Sequence, residues 1–230
     1  MKWLAIEFIL LLFSLNNLVS QDLFNRAENT YGPDPLLYNG KKYTFFLPAG
    51  TEGNQYFSDE QFTPGTVMIK GITFKTEELN YDILNQEILL QYSNETGALN
   101  LIALSQSWVG SFQLHDRYFE FLTIPEKPKR IYQVIRTGEL GVLFYWYKKL
   151  KLDMTYGSDK YEFSLPSRDS YIQIEDECFE FRNNKTFAAA FEADSRDEIR
   201  KYIKSNHIRI QKASDRSLAE LLKFCETLIK

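Results

Sequence analysis

The sequence predicts a mainly β, α+β protein: an antiparallel β domain over residues 22–182 and a helical segment over 183–230 that packs on the sheet. Three observations predict it. Short apolar and aromatic runs follow one another at gaps of two to five residues, which suits hairpins and leaves no room for crossover helices. Eighteen Phe and fourteen Tyr favour half-buried pleated surfaces. Past residue 183 the apolar period changes from that of a strand to that of a helix.

The strand-like runs, in order, are "KKYTFF", "GTVMIK", "ITFK", "ELNYDIL", "EILLQY", "LNLIAL", "WVGSFQL", "YFEFL", "IYQVIR", "VLFYWYKKL", "YEFSL", "YIQIE" and "CFEFR". Turn-forming stretches such as "NETG", "IPEKPK", "RTGELG" and "YGSDK" separate many of them. A bent sheet, a sandwich or a partial barrel would each satisfy this pattern.

Two hairpins can be registered on paper. With Asn85-Gln86 as a two-residue turn, Ile83 faces Ile88, Tyr81 faces Leu90 and Leu79 faces Tyr92, all on one apolar face. Asp82 and Glu87 then fall on the opposite, solvent-facing side. In that setting Asp82→Asn should change stability by only about 0.5 kcal/mol. With Asp176-Glu177 as the second turn, Ile174 faces Phe179 and Ile172 faces Phe181.

Three helices follow. "NNKTFAAAFEA" has Asn184 as its candidate cap and an apolar cluster at Phe187, Ala190 and Phe191. "SRDEIRKYIKSN" opens on Ser195-x-x-Glu198, the pattern of a capping box, and places Ile199, Tyr202 and Ile203 on one face. "SDRSLAELLKFCETLIK" is amphipathic, with Leu218, Leu221, Leu222, Cys225 and Ile229 forming its stripe.

The first 21 residues, "MKWLAIEFILLLFSLNNLVSQ", read as a cleaved signal peptide. Lys2 is followed by an apolar stretch from Phe8 to Leu15, a polar break at Asn16-Asn17 and a small Ser20 before Gln21. The clean apolar run falls short of the roughly 20 residues a membrane span needs, and no later segment reaches that length. The sequence thus implies an exported chain with no transmembrane span after cleavage. Export raises the question of Cys178 and Cys225, a candidate disulfide tying the last helix to the sheet. A buried free thiol on the apolar stripe of that helix would be equally comfortable.

Formal net charge is −4 and the pI near 5.4, which gives no electrostatic reason to expect nucleic acid. The sequence contains no G-x-S-x-G elbow, no H-E-x-x-H and no glycine-rich phosphate loop. Two histidines and two cysteines are scattered without metal-ligand spacing, so no metal or cofactor is implied. His115-Asp116 reads as a turn, and His207 as the C-terminal end of a helix. Asn94 and Asn184 stand in N-x-T sequons, which matter only in a eukaryotic host. Asp82 and Glu87 are the one carboxylate pair that could be imagined as acid and base. Hairpin faces carry such acids routinely.

The segment "VLFYWYKKL" stands apart, being apolar or aromatic on both strand faces. Either a helix covers it, or Phe144, Tyr145, Trp146 and Tyr147 include a partner-binding patch for a protein or glycan. The flanking Lys148-Lys149 reads as a solvated strand end.

"LYNGKKY", "GNQYFSDEQFTPGTVMIKGITFKTEELNYDILNQEILL", "IALSQSWVGSFQLHDRYFEFL", "YQVIRTGELGVLFYWYKKL" and "DEIRKYIKSNHIRIQK" resemble, in that order, a group of uncharacterised secreted proteins of Bacteroidota. Gln55 stands where that group usually has Pro. The resemblance implies the periplasm or cell surface of a diderm bacterium and carries over no catalytic residue. Together these readings lead to the expectation of a non-enzymatic envelope protein that partners an outer-membrane complex, against the alternative of a small glycan-active hydrolase or glycan-binding module.

Overall fold

The computed structural model describes residues 34–94, 96–153 and 160–229. Residues 1–21, which the sequence reads as a signal peptide, lie outside the described residues. The chain divides into two compact units, residues 1–40 and 41–230. The described part of the first is a turn, in which Asp34 accepts hydrogen bonds from Tyr38 N–H at 3.0 Å and, through Oδ1, from Leu36 N–H at 2.8 Å.

Thirteen strands occur among the described residues: β1 Gly40–Lys42, β2 Thr63–Ile69, β3 Ile72–Asp82, β4 Glu87–Ser93, β5 Leu99–Leu104, β6 Val109–Leu114, β7 Arg117–Leu122, β8 Arg130–Thr137, β9 Leu140–Tyr147, β10 Leu150–Asp153, β11 Lys160–Phe163, β12 Ser167–Ile174 and β13 Glu177–Glu180. The helices are α1 Asn184–Ala189, α2 Ala193–Ser205 and α3 Asp215–Glu226. Eleven strands form one sheet in the order β1-β5-β4-β3-β2-β6-β7-β8-β9-β12-β13, and β10 pairs with β11 apart from it. Every neighbouring pair from β5 to β13 is antiparallel.

This order forces the sheet to bend. β5 and β6 are joined by the tight turn Ser105–Trp108, yet β4, β3 and β2 lie between them. Five peptide steps reach roughly 17 Å fully extended, whereas four strand spacings in a flat sheet come to roughly 19 Å. The far ends therefore curl together. Gln106 Nε2, in the β5–β6 turn, donates to Gln86 O in the β3–β4 loop at 2.8 Å. Further round, Gln86 Nε2 donates to Trp146 O at 2.9 Å and Lys148 N–H to Ile83 O at 3.4 Å, so the β3–β4 tip meets the end of β9. Among the described residues no strand ladder joins β3 to β9, and the sheet is bent without closing into a barrel.

One row of directly paired residues, Val67, Phe112, Phe119, Gln133 and Phe144, marks the inner face. Near β3 and β7 this face holds an aromatic core: Phe112 stacks on Phe119 at 4.7 Å, and Phe57 meets Phe119 at 5.4 Å and Trp146 at 5.2 Å. Near β9 the same face is covered by the helices, where Val142, Phe144 and Ile172 pack with Phe187, Ile199, Leu218 and Leu221. A smaller cluster on the outer face contains Tyr132, Leu143 and Tyr171.

The runs "ITFK" and "ELNYDIL" belong to one strand, β3. A register shift sets Gly65 opposite Thr76 but Thr63 opposite Leu79, which returns Leu79 and Tyr81 to the face of Phe74. Gly65 is needed there, because a Cβ would stand 2.6 Å from Gln113 O and 2.8 Å from the Leu79 side chain. "KKYTFF" forms only the short β1; Phe46 is 89% exposed.

Both paper registers are off by two residues. β3 and β4 pair Tyr81 with Ile88 and Leu79 with Leu90, around a loop of Ile83–Gln86. β12 and β13 pair Ile172 with Phe179 and Ile174 with Glu177, around Glu175-Asp176. A slip of two leaves every side chain on its expected face, so periodicity does not oppose it. Left-handed residues set the turns instead, with φ of 60° at Gln86 and 53° at Glu175.

The helix starts also differ in detail. Asn183, not Asn184, caps α1, accepting from Thr186 N–H at 3.0 Å in a capping box. Helix α2 begins before Ser195, whose Oγ donates to Leu228 O at 3.2 Å, so the expected Ser195–Glu198 box does not form. At its C-terminus, Ile208 N–H donates to Ile203 O and His207 N–H to Lys204 O at 3.0 and 3.2 Å. This is a Schellman closure with His207, at φ 52°, in the usual glycine position.

Candidate binding surfaces

Asp82 corrects the sequence reading most sharply: it is buried, not solvent-facing. Oδ1 accepts from Leu84 N–H at 2.9 Å and Asn85 N–H at 2.8 Å, capping the turn. Oδ2 accepts from Asn85 Nδ2 at 2.8 Å and Tyr43 Oη at 2.5 Å. Burial first, then the bond to Asp82, pushes the Tyr43 hydroxyl well above the ordinary tyrosine range. Tyr56, beside them, is also raised, by burial and then by the Asp82 charge. Glu87 pairs directly across from Asp82 in the ladder and forms an ion pair with Lys41. A carboxylate with four donors and no exposed surface holds a turn; proton transfer needs an oxygen that a substrate can reach.

Lys148 is likewise not a solvated strand end. It is buried, and its Nζ donates to Asn54 O at 2.7 Å and Asn54 Oδ1 at 3.0 Å. Burial lowers its pKa, opposed by the Asp82 charge. Lys149 is exposed, with Nζ 5.9 Å from the Tyr147 ring.

The four aromatics of β9 divide by parity. Phe144 and Trp146 turn to the helical cap, where the Arg168 guanidinium lies 3.8 Å from the Phe144 ring and Trp146 Nε1 donates to Gln133 Oε1 at 2.8 Å. Gln133 Nε2 in turn donates to Asp215 Oδ2 at 2.6 Å. Burial raises the Asp215 pKa, with Arg117 the first group opposing it. The sequence contained a signal for this network: a Gln on the apolar face of "IYQVIR" needs buried partners.

Tyr145 and Tyr147 point to the other face. Both are half-buried; their rings stack at 5.9 Å with an interplanar angle of 29°, and Arg130 lies 4.6 Å from the Tyr145 ring. The structure therefore separates the four candidate residues by face: Phe144 is fully buried and Trp146 partly buried towards the cap, while Tyr145 and Tyr147, also partly buried, lie on the opposite face.

Cys178 and Cys225 are free thiols. Cys178 packs with the outer-face cluster of Tyr132 and Tyr171, whereas Cys225 is buried among the helices on the inner face. The sheet lies between the clusters, so the candidate disulfide does not form. His115 occupies the two-residue β6–β7 turn at φ 55°. Asn94 accepts from Thr96 and Ala98 in an exposed turn, and Asn184 is bound by Ile208 and Ile210.

Among the described residues, no cluster of three or more His, Cys, Asp or Glu side chains could hold a metal ion, and no helix is long and apolar enough to cross a membrane. The fold thus defines a mainly β protein, a large bent antiparallel sheet with a separate two-stranded hairpin and a helical cap. Comparison with known proteins finds no matching family model, no matching curated protein and no matching solved structure.

Proposed function

We propose that this chain is a non-enzymatic binding protein of the bacterial envelope, an accessory or plug-like subunit that docks on an outer-membrane transport or secretion complex. The observation that carries the reading is the stacked, half-exposed Tyr145–Tyr147 pair on the sheet face turned away from the helices. Tyrosines beside Arg130 and Lys149 give the composition of an interface anchor. The envelope location rests on the signal-like N-terminus and the family resemblance. Affinity capture from mildly solubilised envelope membranes tests the proposal. An outer-membrane protein should be retained by the wild-type chain and lost with Tyr145→Ser/Tyr147→Ser. Recovery of no partner, or equal recovery by the double variant, would count against it.

A glycan is the second reading, favoured by the same stacked rings, which offer an aromatic platform for a sugar face. Calorimetric binding of an envelope polysaccharide, abolished in the double variant and without a protein partner, would replace the first reading. Glycan hydrolysis by Asp82 and Glu87 is the weaker form, since Asp82 presents no accessible oxygen.

A further inference from the structure

The helical cap carries a feature unrelated to the tyrosine face. A depression of about 470 Å³ lies between the second half of α2, the start of α1 and the closure after α2. A second, of about 360 Å³, shares Asn184, Lys185 and Arg209 with it, so the two form one continuous trough. Lys185, Arg200, Lys204, Arg209 and Lys212 border the trough, and no carboxylate lines either part. Among the described residues only Arg200 of these five has an acidic partner, Asp197 at 3.2 Å. The other four form no ion pair among the described residues, in a chain whose formal net charge is −4.

The trough is also preformed. Asn184 Nδ2 donates to Ile208 O at 2.8 Å while its Oδ1 accepts from Ile210 N–H at 3.0 Å, fixing the extended segment against α1. Arg168 Nη2 holds the same segment further on through Gln211 O at 3.0 Å. A rigid wall reduces the ordering cost of binding. Between the cations the lining is apolar, provided by Ile203 and Ile208.

We propose that this trough is a docking site for an extended acidic peptide segment of a partner protein, with an apolar side chain placed between its carboxylates. Charge complementarity calls for the acids, and the isoleucine lining calls for the apolar group. A membrane surface fits poorly, because the site is concave and none of the large exposed apolar side chains borders it. A simple polyanion would leave the isoleucines without a role.

The test uses the full chain and an array of short fluorescent peptides with Asp or Glu alternating with Leu, Ile or Phe, read by anisotropy. At least one peptide should bind, with its Asn/Gln counterpart and poly-aspartate each weaker by roughly tenfold or more. Lys204→Glu/Arg209→Glu, checked for folding by circular dichroism, should lose binding by a similar factor. Tyr145→Ser/Tyr147→Ser should not, which separates this proposal from the preceding one. Binding should weaken as salt is raised. Absence of binding across the array, equal binding by poly-aspartate or by the charge-reversed variant, or tighter binding to anionic phospholipid vesicles would overturn it.

Discussion

The Tyr43 hydroxyl donates to Asp82 Oδ2 at 2.5 Å, joining positions 39 residues apart and anchoring the segment after β1 to the tip of the β3–β4 hairpin. A hydrogen bond to a buried carboxylate contributes about 1.5–3 kcal/mol. Tyr43→Phe should therefore lower stability by that order. Asp82→Asn should be at least as damaging, because its amide would face Asn85 Nδ2, which only donates, at about 1–3 kcal/mol for a stranded group, and would replace the charge-assisted bond from Tyr43 by a neutral one. The near-neutral effect expected from sequence is reversed. Urea melts of both variants and their double mutant check this. A double mutant equal to the sum of two negligible singles would mean that the bond contributes nothing.

Tyr132 is the opposite case. Its hydroxyl is buried without a hydrogen-bond partner among the described residues. Tyr132→Phe should stabilise the protein by about 1–3 kcal/mol, the cost of an unsatisfied buried polar group. Burial, and next the neighbouring Tyr171, pushes the Tyr132 pKa up to about 12 from its ordinary 10.0. A raised folded-state value means that the folded state, which holds the phenol neutral, is unaffected by this group's ionisation below pH 10 and loses stability as pH rises towards 12. The advantage of the Phe variant should thus widen above pH 10. Thermal melts at pH 7 and pH 10.5 read both effects; a Phe variant that melts lower at both would refute the assignment.

These contrasting hydroxyls show where sequence reading succeeds and where it stops. Strand existence was legible: "LNLIAL" is β5 residue for residue, and the alternation around Tyr81 and Ile88 put the right side chains inward. Register was not, because a slip of two preserves every face. The deciding contact, Asp82 capping the loop Ile83–Gln86, is a side-chain preference that periodicity does not encode. Burial of Asp82 was illegible for another reason. The residues that contribute to it, Tyr43 and Tyr56, come from an irregular stretch distant in sequence. The cations of the trough are visible as letters, but their convergence depends on Asn184 holding Ile208 and Ile210.

Leu90 tests the observed pairing. It is 1% exposed and faces Leu79 on one side and Ile102 on the other. Leu90→Ala should cost roughly 2–5 kcal/mol through lost contacts and a residual cavity. Solution NMR decides the register itself: close cross-strand proximities should connect Tyr81 with Ile88, not Tyr81 with Leu90.

Helix starts give a finer test. Asn183→Ala removes the α1 cap and should cost about 0.5–2 kcal/mol. Asn184→Ala should act differently, loosening the segment around Ile208 and Ile210 while leaving the cap bond intact. Amide hydrogen exchange separates the two. Thr186 N–H should lose protection in the first variant, and Ile210 N–H in the second.

The cysteines bear on how an exported chain would be stabilised. Cys178 is half-buried on the outer face, and burial raises its pKa. Cys225 lies fully buried on α3, where burial pushes its thiol up to about 12. Thiolate, the reactive form, is therefore scarce at both near neutral pH, and Cys225 is also shielded. The native protein, purified without reductant, should contain two free thiols by intact mass. Iodoacetamide should modify Cys178 slowly and Cys225 only after unfolding. A peptide cross-linking Cys178 to Cys225 would contradict this arrangement, because the bonded pair would have to pass through the sheet. Stability comes instead from the continuous apolar packing of α3 on β8 and β9, so reductant should leave the melting temperature unchanged.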